Sequence, residues 1–166
     1  MEGDVSTWAV IMVNPSKANG LFSPCGLYRY RLERNLHDGY LASENDHTIA
    51  KLFGFGERHN ADRLIVANKC ALISTDINGL KNAADPIGPD NDMHIEQAMR
   101  DADFHIVAWG RLSKLPPKLR SRWLRICTIA DRVGCNLHCF GVGQDGHPKH
   151  PLMLGYDTPI VEWNRP

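Results

Sequence analysis

Four short apolar runs recur along the chain, and each has the length of a buried strand. They span Trp8–Val13, Arg63–Asn68, Phe104–Trp109 and Asn136–Gly141, and they are rich in Val, Ile and Leu with little polar alternation. Strands that are apolar on both faces are typical of a parallel sheet covered by helices. The pattern therefore predicts a four-stranded, mainly parallel sheet.

Between these runs, apolar residues recur at the spacing of helices that lie on a sheet. The predicted helices span Thr48–Arg58, Asp92–Ala102 and Leu119–Val133, and Gly134 suits the C-cap of the last one. The order β-α-β-α-β-α-β predicts right-handed crossovers and a three-layer α/β/α sandwich. We expect a single α/β/α domain over residues 1–166.

Length and composition agree with one folded domain. The chain has 166 residues, of which 43% are hydrophobic and 23% charged, so disordered and fibrous classes are excluded. The longest apolar run, Trp8–Val13, is far below the ~18 residues of a membrane span, and five cysteines without a CxxC pair favour reduced thiols. These features predict a cytoplasmic protein with no membrane segment, and we see no pattern that calls for a metal or a cofactor.

Residues 19–45 interrupt the alternating plan. The stretch exceeds the usual 2–6 residues of a strand-to-helix loop, so we expect it to be functional, partly structured or mobile, and it is a candidate lid. Its Tyr28-Arg29-Tyr30-Arg31 sequence suits stacking on bases, although packing of both tyrosines against the domain is the alternative.

Charge is balanced overall but unevenly distributed. Nineteen basic and nineteen acidic residues give zero formal charge, which argues against a protein that grips nucleic acid by bulk charge. Between Ser113 and Arg125 there is no acid, and nucleic acid could bind through the cations Lys114, Lys118, Arg120, Arg122 and Arg125. The alternative is the solvated face of an ordinary helix.

Polar residues follow all four predicted strands. They are Asn14-Pro15-Ser16-Lys17, Asn68-Lys69, Trp109-Gly110-Arg111 and the segment Gly141–Pro151, which contains His147 and His150. Ligands of open α/β sheets bind outside the carboxyl ends of the strands, so these residues predict one crevice with a binding site.

Each of these residues also has a purely structural interpretation. Ser16 could cap a helix, Asn68 could tie down a loop, Trp109 could be core, and His147 could be an exposed loop residue. In the segment Asp85–Asp92, we expect Asp90 or Asp92 to cap the following helix. Phosphate-loop, dinucleotide-loop, nucleophile-elbow and HExxH motifs are absent from the sequence, which lowers the expectation of ATP, NAD and zinc-protease chemistry.

Five segments resemble, in the same order, the family of domains of unknown function numbered 1643. They are Met12–Ala18, Asn45–Ile49, Asp85–Asp92, Ala108–Gly110 and Gly146–Leu152, so the resemblance covers nearly the whole chain. The stretch 19–45 departs from the family's shorter spacing between its first two blocks.

The order of Asn-Pro, Asn, Trp-Gly and His-Pro after successive strands is similar, more distantly, to the uracil-DNA glycosylase superfamily. This resemblance implies that Asn14 orients the attacking water, that Asn68 reads the base, and that His147 or His150 stabilises the departing base. It also implies that Phe22 stacks on the base. Val13, Ser16 and Lys149 depart from the small residues usual at their positions, so a free nucleotide is as plausible a ligand as a flipped base.

We therefore expect a protein of glycosylase-like architecture that recognises a nucleobase or nucleotide and hydrolyses an N-glycosidic bond. The ligand-binding residues would be Pro15, Ser16, Lys17, Phe22, Arg29, Arg31, Asn68, Trp109 and Arg111, and the catalytic residues Asn14, His147 and His150. A phage or bacterial protein that sequesters a nucleotide without cleavage is the alternative. In that case Lys17, Arg29, Arg31 and Arg111 would pair with phosphates.

Overall fold

Six strands and three longer helices are bounded within the residues that the structure describes. The computed structural model describes residues 5–13, 27–32, 47–70 and 81–166. The strands are β1 Thr7–Met12, β2 Leu27–Arg31, β3 Arg63–Asn68, β4 Phe104–Val107, β5 His138–Cys139 and β6 Val161–Glu162. The helices are α1 His47–Arg58, α2 Asn91–Asp101 and α3 Arg122–Val133, with short 3-10 turns at Leu112–Lys114 and Pro117–Leu119.

The strands form one mixed sheet in the order β2-β3-β1-β4-β5-β6. Its four central strands, β3, β1, β4 and β5, are parallel, as the apolar runs predict. Two antiparallel edge strands that the sequence pattern does not reveal flank them, β2 beside β3 and β6 beside β5. The predicted α/β architecture is confirmed, with a wider sheet than expected.

Two strands are shorter than their apolar runs. In the third run the strand ends at Val107, and in the fourth run the strand covers only His138–Cys139. Gly110 and Gly141 follow with φ of 77° and 90°, a left-handed conformation that extended chain does not adopt and that glycine accepts without strain. The chain therefore turns early at both ends and leaves Trp109 and Phe140 in loops rather than in strands.

Alternating strand residues build a core on each face of the sheet. On one face, Val10, Val66 and Ile106 pack with Leu52 and Phe55 of α1. The other face carries a second cluster that joins β1, β3 and β4 to α2 and α3, and its members include Ile11, Ile65, Val107, Ile95 and Ile126. Among the bounded helices, one lies on one face and two lie on the other, which makes the three layers.

The helix ends can be compared with those that the sequence predicts. α3 begins at Arg122, three residues later than predicted, after a 3-10 turn that opens with Pro117. It ends at Gly134, whose φ of 80° lets its N–H bond the carbonyl of Ala130 at 2.8 Å, so the predicted C-cap is confirmed. Asp90 occupies the N-cap position of α2, but its side chain makes no capping hydrogen bond.

The carboxyl end of β1 is the topological switch point of this sheet. Among the bounded helices, the first after β1 is α1 on one face, whereas those that next follow β3 and β4, the neighbours of β1, are α2 and α3 on the other face. A crevice forms where the chain departs to opposite faces of a sheet, and ligands of α/β proteins bind there. Within the described ranges, no helix has the length and apolar character needed to cross a membrane.

Candidate functional site

The described strand ends meet at the carboxyl edge of the sheet. Lys69 N–H donates to the carbonyl of Met12 at 2.9 Å, and Ala108 N–H donates to the carbonyl of Ile11 at 2.9 Å. The pairing of β1 with both neighbours thus extends one residue past their strand ends. Asn68, Lys69, Trp109 and His147, which this edge brings together, are called the carboxyl-edge site below.

Lys69 is fully buried, and no described group accepts a hydrogen bond from its Nζ. The Nζ lies 4.6 Å from the centroid of the Trp109 ring, within the range of a cation–π contact. Burial lowers the pKa of Lys69 to about 7, the thiol of Cys70 opposes that change, and the charge of Arg122 adds to it. The site therefore holds an amine that is roughly half protonated at neutral pH.

A buried polar network fixes the backbone around this lysine. Asn91 Nδ2 donates to the carbonyl of Asn68 at 2.9 Å, and Arg122 Nε donates to the carbonyl of Lys69 at 2.8 Å. The guanidinium of Arg122 also donates to Asn91 Oδ1 at 2.6 Å and pairs with Asp92 at 2.5 Å. The first residues of α2 and α3 thus hold the end of β3 in place.

Asp92 belongs to this network rather than to a helix cap. Its Oδ1 forms an ion pair with Arg122, and its Oδ2 lies 2.7 Å from Arg125 Nε. Partial burial by itself would raise the pKa of Asp92, but the hydrogen bonds from Arg125 and Arg122 outweigh it and lower the pKa. The carboxylate is therefore ionised and neutralises the buried guanidinium.

His147 is buried among aromatic rings, with 5% of its surface exposed. Its ring centre lies 4.9 Å from that of Trp123 and 6.1 Å from that of Trp163. Trp109 Nε1, which can only donate, lies 3.5 Å from Nδ1 of His147. Nδ1 is therefore the acceptor, and the remaining proton of the neutral ring is on Nε2.

The electrostatic environment keeps this imidazole neutral. Burial lowers the pKa of His147, the charge of Lys69 lowers it further, and the carboxylate of Asp145 opposes both. Asp145 Oδ1 instead accepts the backbone N–H of His147 at 3.0 Å. The interpretation of His147 as an exposed loop residue is wrong.

The loop that carries His147 is fastened from three directions. Gly110 N–H donates to the carbonyl of Pro148 at 3.0 Å, and Gly143 N–H donates to the carbonyl of His147 at 2.9 Å. Trp163 Nε1 donates to the carbonyl of Gly146 at 3.1 Å. These bonds couple the ends of β4 and β5 to the C-terminal strand.

The other residues predicted near this edge have different surroundings. His150 is exposed, and its Nδ1 accepts the N–H of Leu152 at 3.3 Å, which is a local turn contact. Arg111 is exposed. Trp109 is a buried member of the core on the α2/α3 face. Asn68 is buried, and its carbonyl is tied to α2 as the structural interpretation expects.

Several predicted residues lie outside the described part of the chain. Asn14, Pro15, Ser16, Lys17 and Phe22 belong to this group. Within the stretch 19–45, Leu27–Arg31 is a strand, so this part is structured. The backbone of Arg31 pairs with Arg63 at the amino end of β3, five residues or about 16 Å from the carboxyl edge.

The cations of the segment 113–125 differ in what they bind. Arg122 is buried in the network above, and Arg125 pairs with the same carboxylate of α2. Lys118 and Arg120 donate to backbone carbonyls at 2.9 and 3.1 Å, whereas Lys114 is exposed. Four of the five cations thus make intramolecular contacts, and nucleic-acid binding by this segment stays a prediction.

A separate cavity of about 540 Å³ opens at the opposite edge of the sheet, beside the starts of β4 and β5. Phe104 and His138 stack there with ring centres 4.2 Å apart, and His105 Nε2 is bonded to the carbonyl of Met99 at 2.7 Å. These polar groups are satisfied within the fold. The unusual chemistry lies at the carboxyl edge, so this edge is the candidate functional site.

Sequence reasoning placed Lys69 at a strand end without giving it a role, and it missed Asn91 and Trp163 as parts of the site. The signal for Lys69 was its position directly after an apolar strand, whereas Asn91 and Trp163 carry no local signal. Among the residues that the structure describes, no three His, Cys, Asp or Glu side chains are grouped to hold a metal ion.

Comparison with protein families matches residues 40–152 to one family, described as "Protein of unknown function (DUF1643)". Comparisons with curated proteins and with solved structures found no significant match. The match covers more than half of the chain and includes Asn68, Lys69, Trp109 and His147.

Proposed function

The chain belongs to the DUF1643 family of proteins of unknown function, and we propose that it binds a nucleotide at the carboxyl-edge site and hydrolyses its N-glycosidic bond. The observation that carries this proposal is His147, a buried neutral imidazole whose Nδ1 accepts from Trp109, so that its Nε2–H is a fixed donor. Such a donor suits an oxyanion that develops on a departing base.

The proposed reaction replaces the bond between sugar and base with a bond between sugar and water. A water oxygen bonds to C1′ of the sugar, the bond between C1′ and the base nitrogen breaks, and the electron pair stays on the base. His147 Nε2–H donates to a carbonyl oxygen of the base as that charge develops, and a proton from the water ends on the base nitrogen. Asn14 would orient the water and Asn68 would read the base edge, as the resemblance to uracil-DNA glycosylases implies.

Architecture supports this assignment without identifying the substrate. Four central parallel strands between helical layers agree with a glycosylase-like fold. The carboxyl-edge site lies at the switch point of the sheet, where α/β proteins bind their ligands. A neutral imidazole can donate its Nε2–H to the developing negative charge without first transferring a proton to the base.

The test is a search for base release and ligand binding by the intact protein. Nucleosides, mono-, di- and cyclic nucleotides, and uracil- or hypoxanthine-containing DNA are screened by thermal shift, and every stabilising ligand is chromatographed after incubation. His147→Asn keeps an acceptor for Trp109 but removes the Nε2–H donor. We expect a ligand-induced thermal shift in both proteins and base release at least about 100-fold slower in the variant.

His59→Asn is the matched control, because His59 is exposed at the end of α1 near the opposite edge of the sheet. It should release base at the wild-type rate. The rate of the wild-type protein should persist as pH falls through 6.5, because burial keeps His147 neutral below its ordinary pKa. Binding with full recovery of intact ligand would instead establish sequestration, and no thermal shift with any ligand would overturn the proposal.

A further inference from the structure

The side chains of Lys69 and Trp109 meet over the end of β1. Lys69 follows β3, and the Trp109 ring that it contacts follows β4, while β1 lies between these two strands. Neighbouring strands are about 4.8 Å apart, so the backbones of β3 and β4 are separated by roughly 10 Å, and the Lys69 and Trp109 side chains span this separation together. Its Nζ therefore lies where the chain leaves β1, on the side of α2 and α3.

Among the residues that the structure describes, no charged group provides a counter-charge for Nζ. From α3, Arg122 faces Nζ with a second positive charge. The carboxylate of Asp92 in α2 pairs with both Arg122 and Arg125, so it is not available to Nζ. From the loop after β5, His147 is neutral, and Asp145 bonds the backbone N–H of that histidine. Burial raises the pKa of the neighbouring Cys70 thiol above its ordinary value, although the charges of Lys69 and Arg122 oppose that change, so the neutral thiol is favoured.

The first residues of α2 and α3 both bond the backbone at the end of β3. Asn91, the first residue of α2, bonds the carbonyl of Asn68, and Arg122, the first residue of α3, bonds the carbonyl of Lys69. The amino ends of an 11-residue and a 12-residue helix therefore lie beside the lysine. Helix amino ends carry partial positive charge and favour phosphate groups.

We propose that Lys69 is the counter-charge of a phosphate group of the bound nucleotide, which lies at the carboxyl end of β1 between Lys69 and the amino ends of α2 and α3. The proposal rests on nucleotide binding at the carboxyl-edge site. It adds that the phosphate of the nucleotide contacts Lys69. A buried ammonium without a partner is costly, and a phosphate both neutralises it and accepts its hydrogen bonds.

Binding of the phosphate is then coupled to uptake of a proton. The pKa of Lys69 is about 7 in the ligand-free protein, and a phosphate beside the amine favours its charged form. At pH 8 most molecules must therefore take up a proton on binding. Because Nζ has no solvent exposure, the ligand reaches it only when the surrounding chain moves, and association slower than the usual diffusive range is expected.

The experiment is calorimetric titration of the full chain with a nucleoside 5′-monophosphate, the matching nucleoside, inorganic phosphate and a short single-stranded oligonucleotide. Each titration at pH 8 is repeated in two buffers of different ionisation enthalpy. We expect uptake of nearly one proton per bound monophosphate and none for the nucleoside. Affinity for the monophosphate should fall about tenfold from pH 8 to pH 9.

Lys69→Met retains an unbranched side chain and removes the charge, and Lys81→Met makes the same change at an exposed position. We expect the first variant to bind the monophosphate at least tenfold more weakly, with no proton uptake, and the second to match the wild-type protein. The pKa of Lys69 measured by NMR in the wild-type protein, with and without inorganic phosphate, checks the same point without any substitution. An upward shift with phosphate is expected.

The outcomes separate this proposal from the proposed hydrolysis. Equal affinity for nucleoside and monophosphate, with no proton uptake, overturns the role of Lys69 and leaves base recognition standing. Proton-coupled binding without base release supports Lys69 and overturns cleavage. Proton-coupled binding of the oligonucleotide but not of the monophosphate would assign the phosphate to a nucleic-acid backbone, and binding of neither overturns both proposals.

Discussion

Two titratable side chains are buried next to each other at the carboxyl end of the sheet, and burial favours the neutral form of both. Lys69 and His147 each have a pKa lowered chiefly by burial, and the positive charge of Lys69 lowers that of His147 further. The amine, with a pKa of about 7, and the neutral imidazole are the two groups on which the proposed binding of an anionic ligand depends. The surrounding indoles of Trp109, Trp123 and Trp163 keep that part of the protein apolar.

Burial of Lys69 should be visible in the pH dependence of stability. The unfolded lysine has a pKa near 10.4 and the folded one about 7, so the unfolded state binds more protons between these values. The free energy of unfolding of the ligand-free protein therefore rises with pH in this window, by about 1.5 kcal/mol between pH 7 and 8.5. Chemical denaturation at several pH values measures it.

Lys69→Met removes this contribution. The difference between the wild-type and variant stability curves should narrow as pH rises from 7 to 8.5, with the variant more stable at pH 7. The thiols of Cys127, Cys135 and Cys139, whose pKa values are raised by burial, have no charge contribution from Lys69, so their effect is the same in both proteins and cancels in this difference. Parallel curves would mean that Lys69 is solvated in solution.

At the scale of elements, β6 fastens the loop that carries His147. Trp163 follows this two-residue strand, and its N–H donates to the carbonyl of Leu137 at 2.8 Å while its indole N–H donates to the carbonyl of Gly146. Its ring meets that of Trp109 edge-on, with centres 5.3 Å apart. A short edge strand thus connects the C-terminal segment to the carboxyl-edge site.

Removing that ring should loosen the site as well as the fold. Trp163→Ala deletes a buried aromatic side chain, so we expect a loss of about 3–5 kcal/mol in the free energy of unfolding. The pKa of His147, followed by NMR, should rise toward 6.5 because the imidazole gains solvent. Val161→Ala on the same strand alters a side chain that is 43% exposed and should leave both quantities nearly unchanged. An unaltered His147 pKa in Trp163→Ala would exclude this coupling.

At the scale of the whole molecule, the two hydrophobic clusters share one sheet. Val10 and Ile11 are adjacent in β1, yet one packs toward α1 and the other toward α2 and α3. If the strands separate, the hydrophobic clusters on both faces of the sheet become exposed. The described parts of the chain are therefore expected to unfold together, as a single domain does.

Tryptophan fluorescence offers a direct measurement of this cooperativity. Of the four tryptophans, Trp8 lies in the cluster beside α1, while Trp109 and Trp163 lie in the other cluster, with Trp123 packed against it. In Trp8→Phe, fluorescence reports only the α2/α3 face, whereas circular dichroism reports the whole chain. The two denaturant transitions should coincide in midpoint and slope. Separate midpoints would show that the faces unfold independently.

The sequence alone determined the parts of this protein that depend on local periodicity. Four parallel strands, the positions of three helices, the Gly134 cap and the α/β class follow from spacing, since buried faces require apolar residues at fixed intervals. The location of polar strand ends at one edge followed from the same order. The composition of the segment 113–125 predicted a cationic face, but composition does not reveal which cations turn inward.

Tertiary structure decided which polar residues form a site. His147 is buried and His150 exposed, although both lie in one loop, because Trp109, Trp123 and Trp163 come from three separate parts of the chain to surround the first. Lys69 is buried because distant helices hold the end of β3, and β2 and β6 are strands because partners at the sheet edges pair with them. Burial and pairing depend on residues far apart in sequence, so local patterns do not contain them.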